Sequence, residues 1–478
     1  MASAGLIAFG LNAYVMLFLY AKSRRKNASR QSKTEADWRD STRDEDLPIV
    51  TTQLPLYNEY NVAARVIHAV AAFDYPAGKH QIQILDDSTD ETRQLVDDIA
   101  DRLREKGIWI EVFRREVRHG YKAGALADAM PSAKGDFIAI FDSDFVPAPD
   151  FLRRMLPHFA DPSTAVAQAR WTHLNRDHSL LTVAQSIGID GHFAIEQTAR
   201  SYNGLFLNFN GTAGIWRREA IEDAGGWTAD TLTEDLDLSY RAQLRGWHIE
   251  YVPDVQVPAE IPESHTAFKS QQFRWAKGSL QTAIKLLPAL FRSPLPLLTK
   301  LEATVHVCHY TVHFLMLLIA LLAYPAFGKL QGLFHPAFLS IVIVPITLAA
   351  LGPPILYIVS QKILYPQAWM KRVLLLPVLT FIGFGICLSN SRAILESFLG
   401  IRSGFVRTPK SGESRAKTYR SRTGLLPFLE ILAGLYAAWA THIFVLSGNF
   451  GIVPFLIIYS LGFFWVGTSS LREKLRRS

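Results

Sequence analysis

Cysteine is nearly absent: Cys308 and Cys387 are the only two in 478 residues. Both fall in apolar stretches and read as small packing or lipid-facing residues, which excludes a disulfide framework or a thiol centre. No Gly-x-Gly-x-x-Gly follows the first expected strand, so a dinucleotide fold is not expected. No repeat of solenoid length recurs. Charge thins out after about residue 300, where Leu, Ile, Phe, Val, Ala and Gly take over. The formal net charge of +7 gathers in segments beside those apolar stretches. With no aromatic-studded basic repeats and no zinc pattern, that balance points to membrane lipids as partners and not to nucleic acid.

Apolar sequence of membrane-crossing length is abundant. A helix needs about 20 apolar residues to cross a hydrocarbon layer of roughly 30 Å. Ala2 to Tyr20 fits, as do approximately 303–326, 336–360, 373–395, 424–446 and 451–468. Lys22, Arg24, Arg25 and Lys26 follow the first run, whereas a signal peptide carries its charge ahead, so the segment reads as an uncleaved anchor. The positive-inside rule then places the N-terminus outside and the following domain in the cytosol, with the basic stretch Arg472 to Arg477. Lys362, Lys371 and Arg372 mark one cytosolic loop and Arg402 to Arg422 another, yet one obvious span separates them. Either 373–400 does not cross simply, or the run around Gly352-Pro353-Pro354 divides in two, so six or seven spans are expected. The chain thus divides into an N-terminal transmembrane anchor at 1–23, a cytosolic domain at 24–300 ending in interfacial helices, and a transmembrane domain at 301–478. A multi-pass protein of a bacterial inner or plasma membrane is the expected setting.

Within the polar region, Pro48 to Leu54, Gln81 to Leu85, Trp109 to Phe113 and Asp136 to Phe141 read as strands. Glu59 to Phe73 and Thr89 to Leu103 have helical spacing, the first with an apolar stripe of Val62, Val66, Ile67 and Val70. This alternation predicts an α/β domain with a largely parallel sheet, and ligands bind beyond the carboxyl ends of such strands. Asp86-Asp87 and Asp142-Ser143-Asp144 both fall at such ends. Carboxylates there can hold Mg²⁺ or Mn²⁺ and leave room for substrate phosphates. Asp86 and Asp87 could instead contact a base or ribose, while Ser88 to Asp90 cap the next helix. Lys122, among small residues at a helix start, suits a nucleotide phosphate. Thr233-Glu234-Asp235 opens another helix, and Asp235 could take the proton of an attacking hydroxyl. Phe268 to Leu286 reads as an interfacial helix on which Trp275 could stack against a sugar ring and Arg274 hold a phosphate.

Together these residues resemble the processive, membrane-embedded inverting glycosyltransferases of family 2, especially the cellulose-synthase-like glucan and mannan (glucomannan) synthases. The resemblance runs from Leu54-Pro55-Leu56-Tyr57-Asn58-Glu59 to the last spans. It implies a cytosolic GT-A domain in which Asn58, Glu59 and Asp87 contact the donor nucleoside and Lys122 lies close to its diphosphate. Asp142 would then recognise the nucleotide, Asp144 coordinate the metal and Asp235 act as general base. Gln271, Arg274 and Trp275 match Gln-x-x-Arg-Trp, with the polar pair near the diphosphate and Trp275 beneath the acceptor sugar. Asn210-Gly211-Thr212 and Glu234 are implied on the acceptor side; the same Asn-Gly-Thr would not be glycosylated in the cytosol. Phe405, Arg407, Thr408 and Lys410 resemble the family's gating segment, which favours a cytosolic 401–423. The chain departs from bacterial cellulose synthases in having one expected N-terminal span and no regulatory barrel after the last one, so no cyclic dinucleotide switch is expected.

The expected activity is repeated transfer of hexose from UDP-glucose or GDP-mannose to a growing β-linked glycan, with β-1,4 linkage favoured, and translocation across the membrane. A single transfer to a membrane lipid such as polyprenyl phosphate is the nearest alternative. A non-catalytic scaffold or transporter leaves Asp87, Asp142, Asp144 and Asp235 unexplained together. Nothing in the sequence addresses oligomeric state.

Overall fold

The computed structural model describes residues 2–325, 336–401, 403, 404, 410, 412 and 424–475, with nothing said of the side chains of 336–343. Helix α1 (Ala2–Ser41) is unbroken over 40 residues, so the expected anchor and the basic segment after it form one rod with no break at residue 23. Its distal half docks on the soluble domain. There the Gln31 amide donates to Glu250 (2.6 Å) and to the Tyr251 carbonyl (2.8 Å), and Arg30 pairs with Glu250.

The soluble domain is built on seven strands, β1 (Val50–Leu56), β2 (His80–Asp86), β3 (Ile110–Phe113), β4 (Phe137–Ile140), β5 (Thr164–His173), β6 (Gly214–Arg217) and β7 (His248–Ala259). Their order across the sheet is β3-β2-β1-β4-β6-β5-β7. The first four are mutually parallel, as the β-α alternation predicts, and β6 enters antiparallel between β4 and β5. Helices α2 (Ala63–Ala71), α3 (Thr92–Glu105) and α4 (Tyr121–Ala129) connect the parallel part. Val66, Ile67 and Val70 form the buried stripe of α2, each worth roughly 1.5–3 kcal/mol of apolar burial. The helix begins later than its apolar spacing suggests because Asn58 takes a positive φ of 54° and the chain must first turn. Apolar residues on both faces of the sheet form two separate cores.

Helices α5 (Leu180–Gly191), α6 (Glu234–Leu244) and α7 (His265–Arg292) are the longer helices of the rest of the polar region. Beyond them lie α8 (Leu297–Cys308), α9 (Thr311–Ala323), α10 (Pro336–Leu364), α11 (Leu376–Gly385), α12 (Cys387–Phe398), α13 (Leu426–Leu446) and α14 (Val453–Leu475). Four described helices are long and apolar enough to cross a membrane, or up to six if each bent pair counts as one span. The bent pairs are α8 with α9 (67°) and Trp369–Gly385 with α12 (40°).

Two features of this geometry bear on the two ways of placing the loops. The run at Gly352-Pro353-Pro354 does not divide, since α10 continues through it. Gly352 meets the Gly10 carbonyl of α1, where a Cβ would lie 2.2 Å from the oxygen, so two glycines let these helices touch. The 373–400 stretch bends by 40° between Trp369–Gly385 and α12. Its second half, α12, buries Ser389, Asn390 and Ser391, and its Glu396 and Ser397 bond to α7.

Candidate active site

The site forms where β4 ends. The Asp142 backbone N–H donates to the Thr212 hydroxyl (2.9 Å), fixing the exit of the strand against the 210–213 turn. The Lys122 ammonium, delivered by the first turn of α4, bonds to Asp142 (2.5 Å) and the Gly211 carbonyl (2.7 Å) and lies 3.9 Å from Glu234. Burial opposes its charge, but Asp142 and Glu234 hold its pKa above the ordinary lysine value. Lys122 thus joins three segments distant in sequence.

Asp235 lies on the first turn of α6 and accepts from the Leu236 N–H (2.8 Å). Burial first, and then the neighbouring Glu234 charge, push its pKa up to about 7, while Lys122 pulls the other way. Burial likewise raises Glu234. Gly211 sits against this carboxylate at φ +80°, and a Cβ there would lie 2.8 Å from Asp235 Oδ2. Only glycine gives the turn both that conformation and that approach. Gln168 braces the turn: its amide donates to the Thr212 and Ala213 carbonyls and its oxygen accepts from the Asn210 N–H. The Asn210 side-chain oxygen accepts from Gln197 (3.2 Å) and Asn208 (3.0 Å). Gln168 carries no motif, and only its place on a central strand beside the turn could have flagged it.

Helix α7 closes the site. At Gly278 a Cβ would fall 2.5 Å from Thr233, so this glycine lets α7 lie directly on the Thr233-Glu234-Asp235 turn. Gln281 accepts from the Leu232 N–H (3.0 Å), and Lys285 pairs with Asp230 and Asp237 (2.8 Å each). One helical turn back stand Arg274 and Trp275, and another turn back stands Gln271, all partly buried. Burial lowers the Arg274 pKa, and Glu234, Asp142 and Asp235 oppose that fall, so the guanidinium belongs to the same electrostatic cluster.

The membrane side holds α7 through three carboxylates that sequence reasoning missed. Lys269 pairs with Glu430 of α13 (2.9 Å), both buried, and Lys277 with Glu396 of α12 (2.7 Å). Glu473 of α14 accepts from the backbone N–H groups of His265 and Thr266, capping the helix start.

On the other flank, Asp87 is held by Arg115 (2.6 Å) and lies 3.6 Å from Arg118, while Asp86 is buried against Arg114 (3.0 Å). Arg118 stacks on Tyr57, 3.6 Å from the ring centre. Asn58 accepts from the Thr89 N–H (2.8 Å), tying the end of β1 to the loop after β2. Buried Glu59 begins the turn into α2. These arginines follow β3, the strand that pairs with β2, and that pairing brings them to the two aspartates.

Asp144 is buried beside Asp142, and Lys410 Nζ lies 2.6 Å from its Oδ2. Burial raises the Asp144 pKa and Lys410 lowers it. A cation already compensates this carboxylate, and the all-oxygen donor set suits Mg²⁺ or Mn²⁺. Among the described residues no group of three or more His, Cys, Asp or Glu is placed to hold a metal ion. Phe405, Arg407 and Thr408 lie outside the described residues.

Residues 48–278 match the family model described as "Glycosyltransferase like family 2". Over 251 residues the chain is 43% identical to "Glucomannan 4-beta-mannosyltransferase 2" of Arabidopsis thaliana, covering 52% of this chain and 47% of that protein. It is 42% identical to "Glucomannan 4-beta-mannosyltransferase 1" of Oryza sativa subsp. japonica, covering 52% and 48%. The chain therefore spans about half the length of these relatives. A solved mannosyltransferase from Pyrobaculum calidifontis, in complex with GDP-Man and Mn²⁺, superposes with a TM-score of 0.53 at 19% identity, covering 84% of this chain and all of that one, which shows a shared fold.

Proposed function

We propose, on the premise that residues 48–278 are a glycosyltransferase family 2 domain, that this chain is a membrane-embedded inverting glycosyltransferase polymerising hexose into a β-1,4-linked mannan or glucomannan. The observation that carries the chemistry is the Asp142–Lys122–Glu234–Asp235 cluster closed by Arg274 and Trp275 of α7. The two plant relatives favour GDP-mannose over UDP-glucose as donor.

In this reading Asn58, Glu59 and Asp87 face the nucleoside, and Asp142 orients the nucleotide. Asp144 would hold Mg²⁺ or Mn²⁺, which would supply positive charge to a diphosphate leaving group. Lys122 and Arg274, kept charged by surrounding carboxylates, add positive potential where negative charge develops, with Gln271 beside them. Asp235 takes the proton of the acceptor hydroxyl, and a pKa near 7 suits a base working at neutral pH. Attack opposite the departing nucleotide inverts the anomeric carbon. Trp275 offers a ring face to the acceptor sugar. The 210–212 turn and Glu234 border the same space, with Gly211 against the base. The Tyr310 hydroxyl donates to Gln272 (3.3 Å), so α7 abuts the bend between α8 and α9. The basic cluster Lys22 to Lys26 after the first apolar run supports a cytosolic position for the sheet domain in this reading.

The test supplies membranes or purified full-length protein with GDP-mannose, UDP-glucose or both, with Mg²⁺ or Mn²⁺, and digests the product with linkage-specific glycosidases. A β-1,4-mannanase-sensitive polymer is expected. A glucanase-sensitive polymer from UDP-glucose alone overturns the donor assignment. Release of one sugar onto a solvent-extractable lipid overturns polymerisation.

A further inference from the structure

A recess of about 250 Å³ opens on the side of the sheet near α10, away from the catalytic cluster. Arg170 and Thr172 lie on one face of β5, Gln256 stands opposite Arg170 on β7, and the end of α10 with Tyr365 completes the wall. Several of its polar groups have donor capacity left over. The Arg170 ε N–H donates to the Pro253 carbonyl (2.9 Å), which fixes the guanidinium. Among the described residues its terminal nitrogens make no hydrogen bond or ion pair, and neither do the side chains of Thr172 and Gln256. Arg176 adds a second guanidinium 5.2 Å from the Tyr365 ring centre, part of its charge taken by exposed Asp177 (2.8 Å).

The wall behind is held by buried polar contacts. Asp190 of α5 joins His173 (3.2 Å), Gln361 of α10 (3.1 Å) and Arg372 (3.3 Å) in one buried network. That network ties the soluble domain to the end of a helix of membrane-crossing length. Just beyond, Met370 and Leu374 are 66% and 77% exposed beside Lys371, a mix of apolar and basic side chains that suits a headgroup layer.

We propose that this recess is a phosphate site, filled by an anionic lipid headgroup at the membrane surface. A guanidinium held by one bond with its fork free, beside a hydroxyl and an amide, is suited to a phosphate oxygen pair. Basic pockets at the cytosolic ends of spanning helices take lipid phosphates on the same physics. The site stands apart from Asp142, Asp144 and Asp235, so it does not depend on which sugar the enzyme transfers.

The test titrates full-length protein in non-ionic detergent with short-chain phosphatidylglycerol, short-chain phosphatidylcholine, glycerol phosphate and inorganic phosphate. Binding is read by thermal shift and native mass spectrometry. Phosphatidylglycerol is expected to bind and raise Tm, and phosphatidylcholine to do neither. Arg170→Gln should weaken that binding by about tenfold or more, the scale of one charged hydrogen-bonding group, with donor turnover in neutral lipid unchanged. Gln256→Glu, at an exposed position, should have the same effect by placing a negative charge opposite the anion, and it serves where Arg170→Gln fails to fold. If glycerol phosphate and inorganic phosphate bind as well as the lipid, the phosphate site stands and its source is soluble. Phosphatidylglycerol binding that neither substitution alters overturns the proposal.

Discussion

The carboxylate pair at the start of α6 makes a prediction that separates base catalysis from simple structural need. Asp235 is pushed to about 7 by burial and, next, by the charge of Glu234. A base must be ionised to act, so kcat/KM should be half-maximal near pH 7 and fall about tenfold per pH unit below it. Glu234→Gln keeps the shape and removes the like charge. Burial remains, so the acid limb should move toward lower pH by about one unit, equivalent to about 1.4 kcal/mol, without reaching the ordinary aspartate value. At pH 6 the variant would then retain a larger share of its own maximal rate than the parent does. Asp235→Asn should lose about 100-fold to 10,000-fold across the whole range while still binding donor. The assay is nucleotide release at subsaturating donor from pH 5.5 to 8.5 in constant ionic strength. An acid limb that stays fixed in Glu234→Gln would refute the assignment of Asp235 as the titrating base.

Lys410→Met should tighten Mn²⁺ binding without donor by about tenfold, because it removes a cation 2.6 Å from Asp144; electron paramagnetic resonance titration checks this, and unchanged affinity counts against it. Gly278→Ala should cut transfer by about 10-fold to 100-fold with donor affinity retained, since its Cβ would press on Thr233 and shift α7 off the site; kcat and KM measured separately decide the point. Trp275→Ala should shorten the product more than it weakens donor binding, as sized by gel chromatography, and equal losses in both would indicate a packing role instead.

The sequence made the parallel half of the sheet legible, because β1, β2, β3 and β4 are short β-branched or apolar runs punctuated by turn residues. The expected limits differ from the observed strands by only a few residues at either end. The antiparallel entry of β6 was not legible, since its pairing with β4 and β5 joins segments far apart in sequence. Asp86 and Asp87 could be chosen from their strand end, but their arginine partners could not, because the order of strands decides which loop lies beside them. The spans show a similar division. Hydropathy marks 303–326 as one apolar run, yet α8 and α9 meet at 67° with neither proline nor glycine near the break. Lys269 and Lys277 look like ordinary interfacial cations in sequence, and their counter-charges lie more than a hundred residues away.

That last pairing bears on how such a protein can be taken apart. The stretch that matches the family model stops at residue 278, within α7. A soluble fragment cut at that point would keep Lys269 and Lys277 and lose Glu430 and Glu396, leaving two cations that were buried beside partners with none. The segment that matches the family model and the helices of membrane-crossing length are therefore not interchangeable modules. A chimera that grafts residues 48–278 onto another set of spanning helices would have to carry the acidic positions of α12, α13 and α14 with it, and natural variation at either end of each pair should be correlated for the same reason.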